Sequence, residues 1–547
     1  MSGTSGQTER GGLSVAKVVK GLYNEGQTDY FLEPIVVVNQ RKEPIGRVSE
    51  GDTIFFCLRR GEREIQLTRA FADPNFNEFP REKFRNVTVV TLTLYHEMFS
   101  GLPVVFPTLK LDGTLGEAVS RKGLRQVRIS ESEKLAHVTF FFNGKNGKPF
   151  SGEDDIAVPS RKGVSVREEP EQSIGLVTEE TEKAILSGKY NLIVVNFANG
   201  DIVGHVDDRN ARIKCAEAVD RHLGTVLLTA ARAGYITIVT ADHGVLEETV
   251  KKDGTVNVGH TANPVPFIIF DPLPSFQGTF GAETGAVRHY ELDGRSELGC
   301  VAPTILEIMG IEKPPAMTSK SLIKCAPERG SRSSVMLIIL DGWGIGRNDE
   351  TNPIYAGKTP VWNWLTKNCP FTTLRASGSA VGLEEWKMGN SEAGHINMAA
   401  GRIVLQDDLR IDNAFRNGSL QNNPLLMKVI NKTKADQSHL HLITLLSKMS
   451  SHGSVDYALA ILKLAKDQDL KQVFLHLIFD GRSTSPGSAP LMLKELEDEM
   501  NKIGVGMVAS AVGRGYALDR DRNYVERTKL AYDAMVYGMG RPAFIAQ

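Results

Sequence analysis

The feature of this sequence that most restricts its fold is a series of short apolar runs, each of which ends abruptly at a polar or acidic residue. Such runs are typical of buried parallel strands. Stretches with helical periodicity, such as residues 209–234 and 457–470, lie between them. This alternation predicts open, doubly wound α/β sheets, which bind ligands outside the carboxyl ends of their strands. The clearest runs are residues 137–144, 192–201, 236–244, 335–342 and 473–482.

Length and charge limit the classes of protein that this chain can represent. A chain of 547 residues is too long for one hydrophobic core, so we expect at least two domains. Its net charge of -1 creates no overall field that would attract nucleic acid or an anionic membrane surface, and neither partner is expected. No apolar run reaches the roughly 18 residues of a membrane span. The start, "MSGTSGQTERGG", lacks an apolar signal-peptide core and predicts a polar tail over residues 1–12.

The cysteines favour a reducing compartment. The chain has five, widely spaced and never in a CxxC pair. This spacing argues against a disulfide framework and against a zinc knuckle. We therefore expect a cytoplasmic protein.

Acidic residues and histidines follow several of the predicted strands. Asp201 and His205 are four residues apart, so on a helical turn they would share a face and could bind one ion together. Asp242 and His243 are adjacent at the end of an apolar run, where a buried carboxylate and imidazole need a metal or a hydrogen-bond partner. His260 lies in a turn-prone segment.

Asp341 adds a sixth candidate at another strand end. Each residue alone could instead be a capping aspartate or a histidine bound to backbone carbonyls. Together they form a nitrogen and oxygen set without thiolates, larger than one tetrahedral ion accepts, and this predicts two divalent ions. Mixed histidine and carboxylate ligands suit Mn²⁺ or Zn²⁺, with Mg²⁺ as an alternative. Two such ions can stabilise the attacking and leaving oxygens of a phosphoryl transfer.

Ser391, in "KMGNSEAGH", is the candidate nucleophile. A hydroxyl bound to a divalent ion loses its proton more easily, so this serine could form a phosphoenzyme. The GxSxG elbow of α/β-hydrolases does not match, because Ala393 occupies the position of the second glycine. An N-cap serine that opens a helix stays an open alternative.

Fixed cations would be needed to hold a phosphorylated acid, and arginine suits both carboxylate and phosphate. Each arginine taken alone could equally be an ordinary exposed charge. The candidate segments are residues 57–64, 131–144, 478–484 and 512–535.

Several motifs together resemble one family, the cofactor-independent (2,3-bisphosphoglycerate-independent) phosphoglycerate mutases of the alkaline phosphatase superfamily. The resemblance covers nearly the whole chain beyond the first dozen residues. The motifs that carry it are "LIILDGWG", "MGNSEAGH", "GRIVLQD", "FDGR", "GRGYALDRDRNYVE", "AHVTFFFNG", "NFANGDIVGH", "TADHG" and "HTANPVPF".

The motif order differs from that of the family, because LDGWG opens the family's chain but lies at residues 340–344 here. Relative to the family, the chain looks circularly permuted. The resemblance then implies a continuous alkaline-phosphatase-like metal domain over 108–406. It also implies a smaller α/β substrate domain, assembled from 13–107 and 407–547.

The resemblance also assigns site residues. One metal is assigned to Asp201, His205 and His260, and the other to Asp341, Ser391, Asp242 and His243. Three departures concern the substrate: Ser483 replaces a carboxylate, Arg63 is the nearest candidate for a displaced arginine, and segment 447–454 has lost glycines. The implied substrate contacts are His452, Arg482, Arg514, Arg520, Arg59 and Lys134.

The function that this resemblance implies is phosphoglycerate mutase activity, an isomerase reaction of glycolysis and gluconeogenesis. It would interconvert 3-phosphoglycerate and 2-phosphoglycerate through a phosphoserine, without 2,3-bisphosphoglycerate. We expect a monomer with two divalent ions, Mn²⁺ first and Mg²⁺, Zn²⁺ or Co²⁺ as alternatives. Two other hypotheses stay open: a metal-dependent phosphatase or mutase of another phosphoester, and a non-catalytic relative.

Overall fold

The computed structural model describes most of the chain. The described residues are 9–59, 61–161, 163–251, 253–276, 278, 280, 287–294, 296–327, 333–448, 450 and 452–545. They form two compact units: unit 2 spans Leu109–Leu409, and unit 1 combines the residues before it with those from Arg410 onward.

The strands are numbered along the chain. They are β1 (Ile35–Val38), β2 (Thr53–Phe56), β3 (Thr88–Thr93), β4 (Val104–Phe106), β5 (Gln126–Glu131), β6 (Glu153–Val158), β7 (Leu192–Phe197), β8 (Ile236–Thr240), β9 (Val265–Phe270), β10 (Glu291–Leu292), β11 (Ser296–Glu297), β12 (Ile323–Cys325), β13 (Val335–Leu340), β14 (Phe371–Arg375), β15 (Leu440–Leu446), β16 (Val473–Phe479), β17 (Met507–Gly513) and β18 (Arg541–Phe544).

The α-helices are numbered in the same way. They are α1 (Gly12–Asn24), α2 (Gly61–Ala72), α3 (Leu115–Arg121), α4 (Ile174–Leu186), α5 (Asn199–Gly204), α6 (Arg209–Arg232), α7 (Val301–Ile308), α8 (Pro353–Ala356), α9 (Pro360–Asn368), α10 (Ser391–Ala400), α11 (Asp407–Arg416), α12 (Pro424–Ala435), α13 (Val455–Asp467), α14 (Ala489–Ile503), α15 (Arg514–Ala517) and α16 (Lys529–Val536).

Unit 2 is built on an eight-stranded sheet in the order β11-β14-β9-β8-β13-β7-β5-β6. The five strands from β8 to β6 are parallel, and β9 is antiparallel to both of its neighbours. Residues 335–340 of β13 are all buried, as expected for a central strand that is covered on both faces. The predicted parallel α/β class is confirmed, with an antiparallel strand toward one edge.

Unit 1 has its own eight-stranded sheet, in the order β18-β1-β17-β16-β15-β2-β3-β4. The strands from β17 to β4 are parallel, while β1 and β18 run the opposite way. Successive residues of β2 face opposite sides: Phe55 packs in the core with α1, α13 and α14, and Phe56 in the core with α2 and α16. Helices therefore cover both faces, which is the doubly wound arrangement.

One predicted strand is wrong. Residues 137–144 were expected to extend as a strand, but His137–Phe141 form a π-helical turn. Val138 and Phe142 are buried while Phe140 is exposed, so the apolar side chains recur at a spacing of four, as on a helix. Thr139 Oγ1 also donates to the Leu135 carbonyl at 2.8 Å, a bond between positions i and i-4.

The predicted polar tail lies partly outside the described residues, which begin at residue 9. Within the described part, Arg10 donates to Asn501 Oδ1 at 3.0 Å and to the Gly506 carbonyl at 2.9 Å. Helix α1 already begins at Gly12. These last residues of the predicted tail are therefore packed.

No helix among the described residues is long and apolar enough to cross a membrane.

The buried centre of β13 provides a test of the unit 2 core. We expect Leu337→Ala to lower the free energy of unfolding of unit 2 by about 2–5 kcal/mol, because it leaves a cavity among fully buried side chains. All four tryptophans, Trp343, Trp362, Trp364 and Trp386, lie in unit 2, so urea unfolding followed by tryptophan fluorescence reports on this unit. The control is Leu186→Ala, at a leucine that is 72% exposed, and it should cost little. Equal losses in both variants would contradict the proposed core.

Candidate metal centre and nucleophile

The carboxyl ends of four adjacent parallel strands of unit 2 place the candidate residues together. In the order β8-β13-β7-β5, the residues that follow the strands include Asp242, Asp341, Asp201 and Lys134. Parallel strands all end at the same edge of a sheet, so residues that are distant in sequence become neighbours. All four side chains are buried.

Ser391 is the first residue of α10, and it does not cap this helix. The cap is Asn390, whose Oδ1 accepts from the backbone N–H of Ala393 at 2.8 Å. The N-cap alternative for Ser391 is therefore wrong, since its neighbour satisfies the helix terminus. The serine hydroxyl is left to contact side chains of the sheet edge.

Two glycines let the first turn of α10 approach that edge closely. A Cβ at Gly389 would lie 1.9 Å from the Ala376 carbonyl oxygen, and one at Gly394 would lie 2.6 Å from the Asp242 carbonyl oxygen. Both distances are too short for any side chain. The glycines on either side of Ser391 thus allow backbone contact, and this contact brings the serine to His243.

The Ser391 hydroxyl lies among charged and hydrogen-bonding groups. Its Oγ is 2.8 Å from Lys134 Nζ, 3.0 Å from His243 Nε2 and 3.3 Å from Asp341 Oδ1. The Lys134 ammonium also donates to Asp201 Oδ2 at 2.6 Å and to Asp341 Oδ1 at 3.0 Å. Lys134, which the family resemblance assigned to substrate binding, therefore lies beside the candidate nucleophile.

A first group of candidate ligands consists of Asp201, His205 and His260. Each imidazole Nε2 is 3.2 Å from Asp201 Oδ1, and the two Nε2 atoms are 3.2 Å apart. Two ligands of a tetrahedral Zn²⁺, each at about 2.0 Å, are separated by about 3.3 Å. The Nδ1 atoms point to backbone carbonyls, of Val258 at 2.8 Å and of Gly389 at 2.7 Å. These bonds place the proton on Nδ1 and leave the Nε2 lone pair for an ion.

A second group consists of Asp242, His243, Asp341 and Ser391. His243 Nε2 is 3.5 Å from Asp242 Oδ2 and 3.5 Å from Asp341 Oδ1, in addition to its contact with Ser391. His243 Nε2 also lies 3.6 Å from Asp201 Oδ1, so the two groups are adjacent. The structure brings all seven sequence-predicted ligands together.

The donor set fits cations. When the His205 and His260 protons lie on Nδ1, the buried Asp201 Oδ1 has no hydrogen-bond donor among the described residues, and neither has the buried Asp242 Oδ2. Buried carboxylate oxygens without a donor are costly unless a positive charge faces them. Three carboxylates, those of Asp201, Asp242 and Asp341, surround one ammonium, and this leaves two uncompensated negative charges. Divalent ions with nitrogen and oxygen ligands would balance that excess.

The electrostatics of the metal-free protein agree with this fit. Burial opposes ionisation of Asp201, but hydrogen bonds with His205 and His260 and the Lys134 charge hold the pKa of Asp201 well below its usual range. A second proton on His205, at Nε2, would donate to Asp201, and this hydrogen bond raises the pKa of His205. A cation at this group must displace that proton, so we expect its affinity to fall as the pH is lowered. Burial and the Asp242 charge raise the pKa of Asp341.

Two supporting residues were missed from the sequence. His395 Nδ1 lies 2.8 Å from the Ser391 carbonyl and 3.4 Å from Asp242 Oδ2. Asn196 donates to Asp341 Oδ2 at 2.9 Å, and its amide nitrogen is 3.1 Å from His395 Nε2. Such contacts orient ligands without binding the ion themselves. Two signals in the sequence could have identified them. His395 lies four residues after Ser391, and Asn196 is a polar residue inside an apolar strand.

The predicted substrate residues of unit 1 lie at the carboxyl edge of its own sheet. Arg59 follows β2, His452 follows β15, Arg482 and Ser483 follow β16, and Arg514 follows β17. These four strands are adjacent and parallel. The sheet therefore brings these five residues to one edge.

Several of these side chains are held by acids. Arg514 is buried and forms an ion pair with Asp480. Arg59 Nη1 lies 3.1 Å from Asp412 Oδ1. His452 Nδ1 is 2.8 Å from Glu64 Oε1. These acids fix the orientation of the cationic and imidazole groups at the edge.

The remaining candidates differ in their surroundings. Arg482 and Ser483 are exposed, and the Ser483 backbone N–H donates to Asp480 Oδ2 at 3.1 Å. Arg63 lies on α2, where Nη1 donates to the Leu518 carbonyl at 3.3 Å, and Arg520 is exposed in the loop after α15.

The first group of ligands can be tested directly. We expect Asp201→Asn to lose at least one bound Mn²⁺ per chain, because it removes the carboxylate that both imidazoles face. Metal content is measured by mass spectrometry after loading and gel filtration. The control, Asp207→Asn, changes an exposed aspartate close in sequence and should keep the full content. Unchanged stoichiometry in Asp201→Asn would reject this group as a metal site.

This chain is similar to two known protein families and to a solved structure. The chain matches the model of the metalloenzyme superfamily over residues 8–313 and that of the BPG-independent PGAM N-terminus over residues 411–546. Among solved structures, that of Leishmania mexicana phosphoglycerate mutase at low cobalt concentration is 29% identical, with a TM-score of 0.38, and the match covers 53% of this chain and 54% of that chain.

Relatives include three proteins named 2,3-bisphosphoglycerate-independent phosphoglycerate mutase. That of Syntrophotalea carbinolica is 41% identical over 57% of this chain and 57% of its own length. Mutase 1 of Methanosarcina acetivorans is 38% identical over 58% and 59%, and mutase 2 of Methanosarcina barkeri is 39% identical over 56% and 57%. The chain thus spans somewhat more than half the length of these relatives. Because the superfamily model matches more than half of the chain, this protein belongs to the metalloenzyme superfamily.

Proposed function

We propose that this protein is a metal-dependent phosphoglycerate mutase that interconverts 3-phosphoglycerate and 2-phosphoglycerate without 2,3-bisphosphoglycerate. The observation that carries the proposal is the position of Ser391 Oγ, 2.8 Å from Lys134 Nζ and 3.0 Å from His243 Nε2, within a group of buried carboxylates. The names of the relatives support the choice of substrate.

The proposed reaction passes through a phosphoserine. Ser391 Oγ forms a bond to phosphorus as the bond from phosphorus to the glycerate oxygen breaks, and the departing oxygen takes up a proton. The other hydroxyl of the glycerate then gives up its proton and attacks the same phosphorus, the bond from phosphorus to Ser391 Oγ breaks, and the serine oxygen takes up a proton. The transferred phosphoryl group is a phosphate monoester before and after each step, so the reaction needs neither an oxidant nor a second phosphate donor.

The residues around Ser391 have separable roles in this proposal. Asp341 Oδ1, at 3.3 Å, accepts the serine proton. The Lys134 ammonium stabilises the resulting oxyanion and the charge on the transferred group. Divalent ions held by the two ligand groups would supply further positive charge and lower the pKa of the serine hydroxyl.

Unit 1 is the proposed substrate domain. Its five residues at the strand ends would bind the glycerate carboxylate and phosphate. Arginine suits both anions because its planar guanidinium group has several N–H donors. Arg63 and Arg520 are further candidates in the same unit. The 109–409 unit is the proposed metal domain.

We also infer the finer properties of the enzyme. Mn²⁺ is the proposed ion, with Mg²⁺, Zn²⁺ and Co²⁺ as alternatives, since the ligands lack thiolates. We propose that the order of the motifs is circularly permuted relative to the family. In support, a family model described as an N-terminus matches residues 411–546, near the other end of this chain. All five cysteines are free, which is typical of a cytoplasmic protein. A monomer acting in glycolysis and gluconeogenesis is our working hypothesis.

The nucleophile is tested by Ser391→Ala. We expect the mutase rate to fall by at least about 10³-fold, because the phosphoryl acceptor is lost. The assay couples 2-phosphoglycerate formation to enolase, on chelator-treated protein with and without Mn²⁺ and without 2,3-bisphosphoglycerate. The control, Ser275→Ala, changes an exposed serine of the same unit and should retain full activity.

The same experiment separates the alternatives. Because Ser483 replaces a carboxylate of the family's substrate site, the first alternative to test is a metal-dependent phosphatase. Release of inorganic phosphate without 2-phosphoglycerate would select that function, and no turnover with either readout would select a non-catalytic relative. Full activity of Ser391→Ala would reject the phosphoserine.

Arg482 tests the role of unit 1. We expect Arg482→Ala to raise KM for 3-phosphoglycerate by about 10-fold or more, since it removes a charge-assisted contact with an anionic substrate. Because Arg482 is exposed, the variant should fold normally, and its bound metal should be unchanged. The control is Arg41→Ala, at another exposed arginine of unit 1. A KM equal to that of the control would exclude Arg482 from the substrate site.

A further inference from the structure

A chain of buried polar side chains crosses four adjacent strands of the unit 1 sheet. Asp52 Oδ2 lies 3.0 Å from His441 Nε2, and His441 Nδ1 lies 3.0 Å from His476 Nε2. His476 Nδ1 in turn is 2.8 Å from Ser510 Oγ. All four residues are buried. Such a network in a sheet core must be fully hydrogen-bonded to be tolerated, and this one is continuous from end to end.

The chain begins at the amino edge of the parallel strands, away from the proposed substrate residues. Asp52 directly precedes β2, and His439 directly precedes β15. His439 Nδ1 lies 3.4 Å from Asp52 Oδ2, the same oxygen that faces His441. The His439 side chain is 38% exposed, so this end of the network is open to solvent.

We propose that Asp52, His439 and His441 bind a divalent cation of the Zn²⁺ class, at a site separate from the metal centre of unit 2. Their three ligand atoms all lie within 4.8 Å of one another. The two distances from Asp52 Oδ2, 3.0 Å and 3.4 Å, are close to the separation of about 3.3 Å between ligands of a tetrahedral ion. A water molecule would complete the coordination.

The ligands are already oriented. Asp52 Oδ2 accepts from the Ser49 backbone N–H and Oδ1 from the His439 backbone N–H, each at 2.8 Å. The Phe474 ring stacks on His441 with centroids 5.6 Å apart and packs edge-on against His439 at 5.3 Å. These contacts hold the carboxylate and both imidazoles in place, so the ligands are preorganised and an ion would bind with little loss of side-chain entropy.

The buried chain behind His441 gives the imidazole a defined proton position. An ion on Nε2 requires the proton on Nδ1, which then donates to His476 Nε2, while His476 Nδ1 donates to Ser510 Oγ. Without an ion every bond reverses: Ser510 donates to His476, His476 to His441, and His441 Nε2–H to Asp52. Both directions give every ring nitrogen of His441 and His476 a partner. Binding of a cation therefore exchanges one complete network for the other.

Burial favours neutral imidazoles here. It lowers the pKa of His441 and holds the pKa of His476 well below its ordinary value. This agrees with the hydrogen-bonded chain described above, in which each imidazole carries one proton.

The test uses full-length protein, stripped of metal and titrated with Zn²⁺. To remove the contribution of unit 2, the titration is done in an Asp201→Asn, Asp242→Asn background. We expect that background to bind one more Zn²⁺ per chain than the same protein with His439→Ala. The matched control is His96→Ala, an exposed histidine of unit 1 outside the group, which should leave the stoichiometry unchanged.

A second measurement does not depend on stoichiometry. Nitrogen-15 NMR of the histidines should show the His441 proton on Nε2 without Zn²⁺ and on Nδ1 with it. Ser510→Ala should weaken Zn²⁺ binding by about 10-fold or more, since it removes the end of the chain that orients His441. Equal Zn²⁺ content with and without His439, or a His441 proton that stays on Nε2 at saturating Zn²⁺, would overturn the proposal.

Discussion

The architecture of unit 2 depends on an excess of buried negative charge at one sheet edge. Asp201, Asp242 and Asp341 lie there, and among the described residues one ammonium, that of Lys134, opposes them. In a low-dielectric interior such an excess is tolerated only with cations. The histidines, the orphaned carboxylate oxygens and membership of the metalloenzyme superfamily all agree with that requirement.

A second condition at this sheet edge is the close approach of α10. Gly389 and Gly394 remove the side chains that would collide with the sheet edge, and Asn390 takes over the helix cap. Ser391 is then the residue of this turn whose hydroxyl contacts Lys134 and His243. The two glycines and the cap are thus the local conditions that let a serine reach the charged cluster.

Much of the fold and of this site could be predicted because the buried strands are apolar runs that end abruptly at polar or acidic residues. The runs that became β7, β8, β13 and β16 were predicted from continuous hydrophobicity, which a strand covered on both faces requires. The prediction for residues 137–144 is wrong because the buried Val138 and Phe142 recur at the spacing of a helix inside a short apolar stretch, and length alone cannot separate a short helix from a strand. His395 and Asn196 were missed since each acts through another residue.

By itself the sequence determined the class of fold, the residue types at the strand ends and the absence of thiolates among the candidate ligands. Only the tertiary structure decided which of those residues are neighbours. Strand order is set by non-local pairing, so the adjacency of β8, β13, β7 and β5, and likewise of β2, β15, β16 and β17, is not encoded in any local pattern. The distances between side chains from separate strands, on which binding chemistry depends, exist only once those strands are side by side.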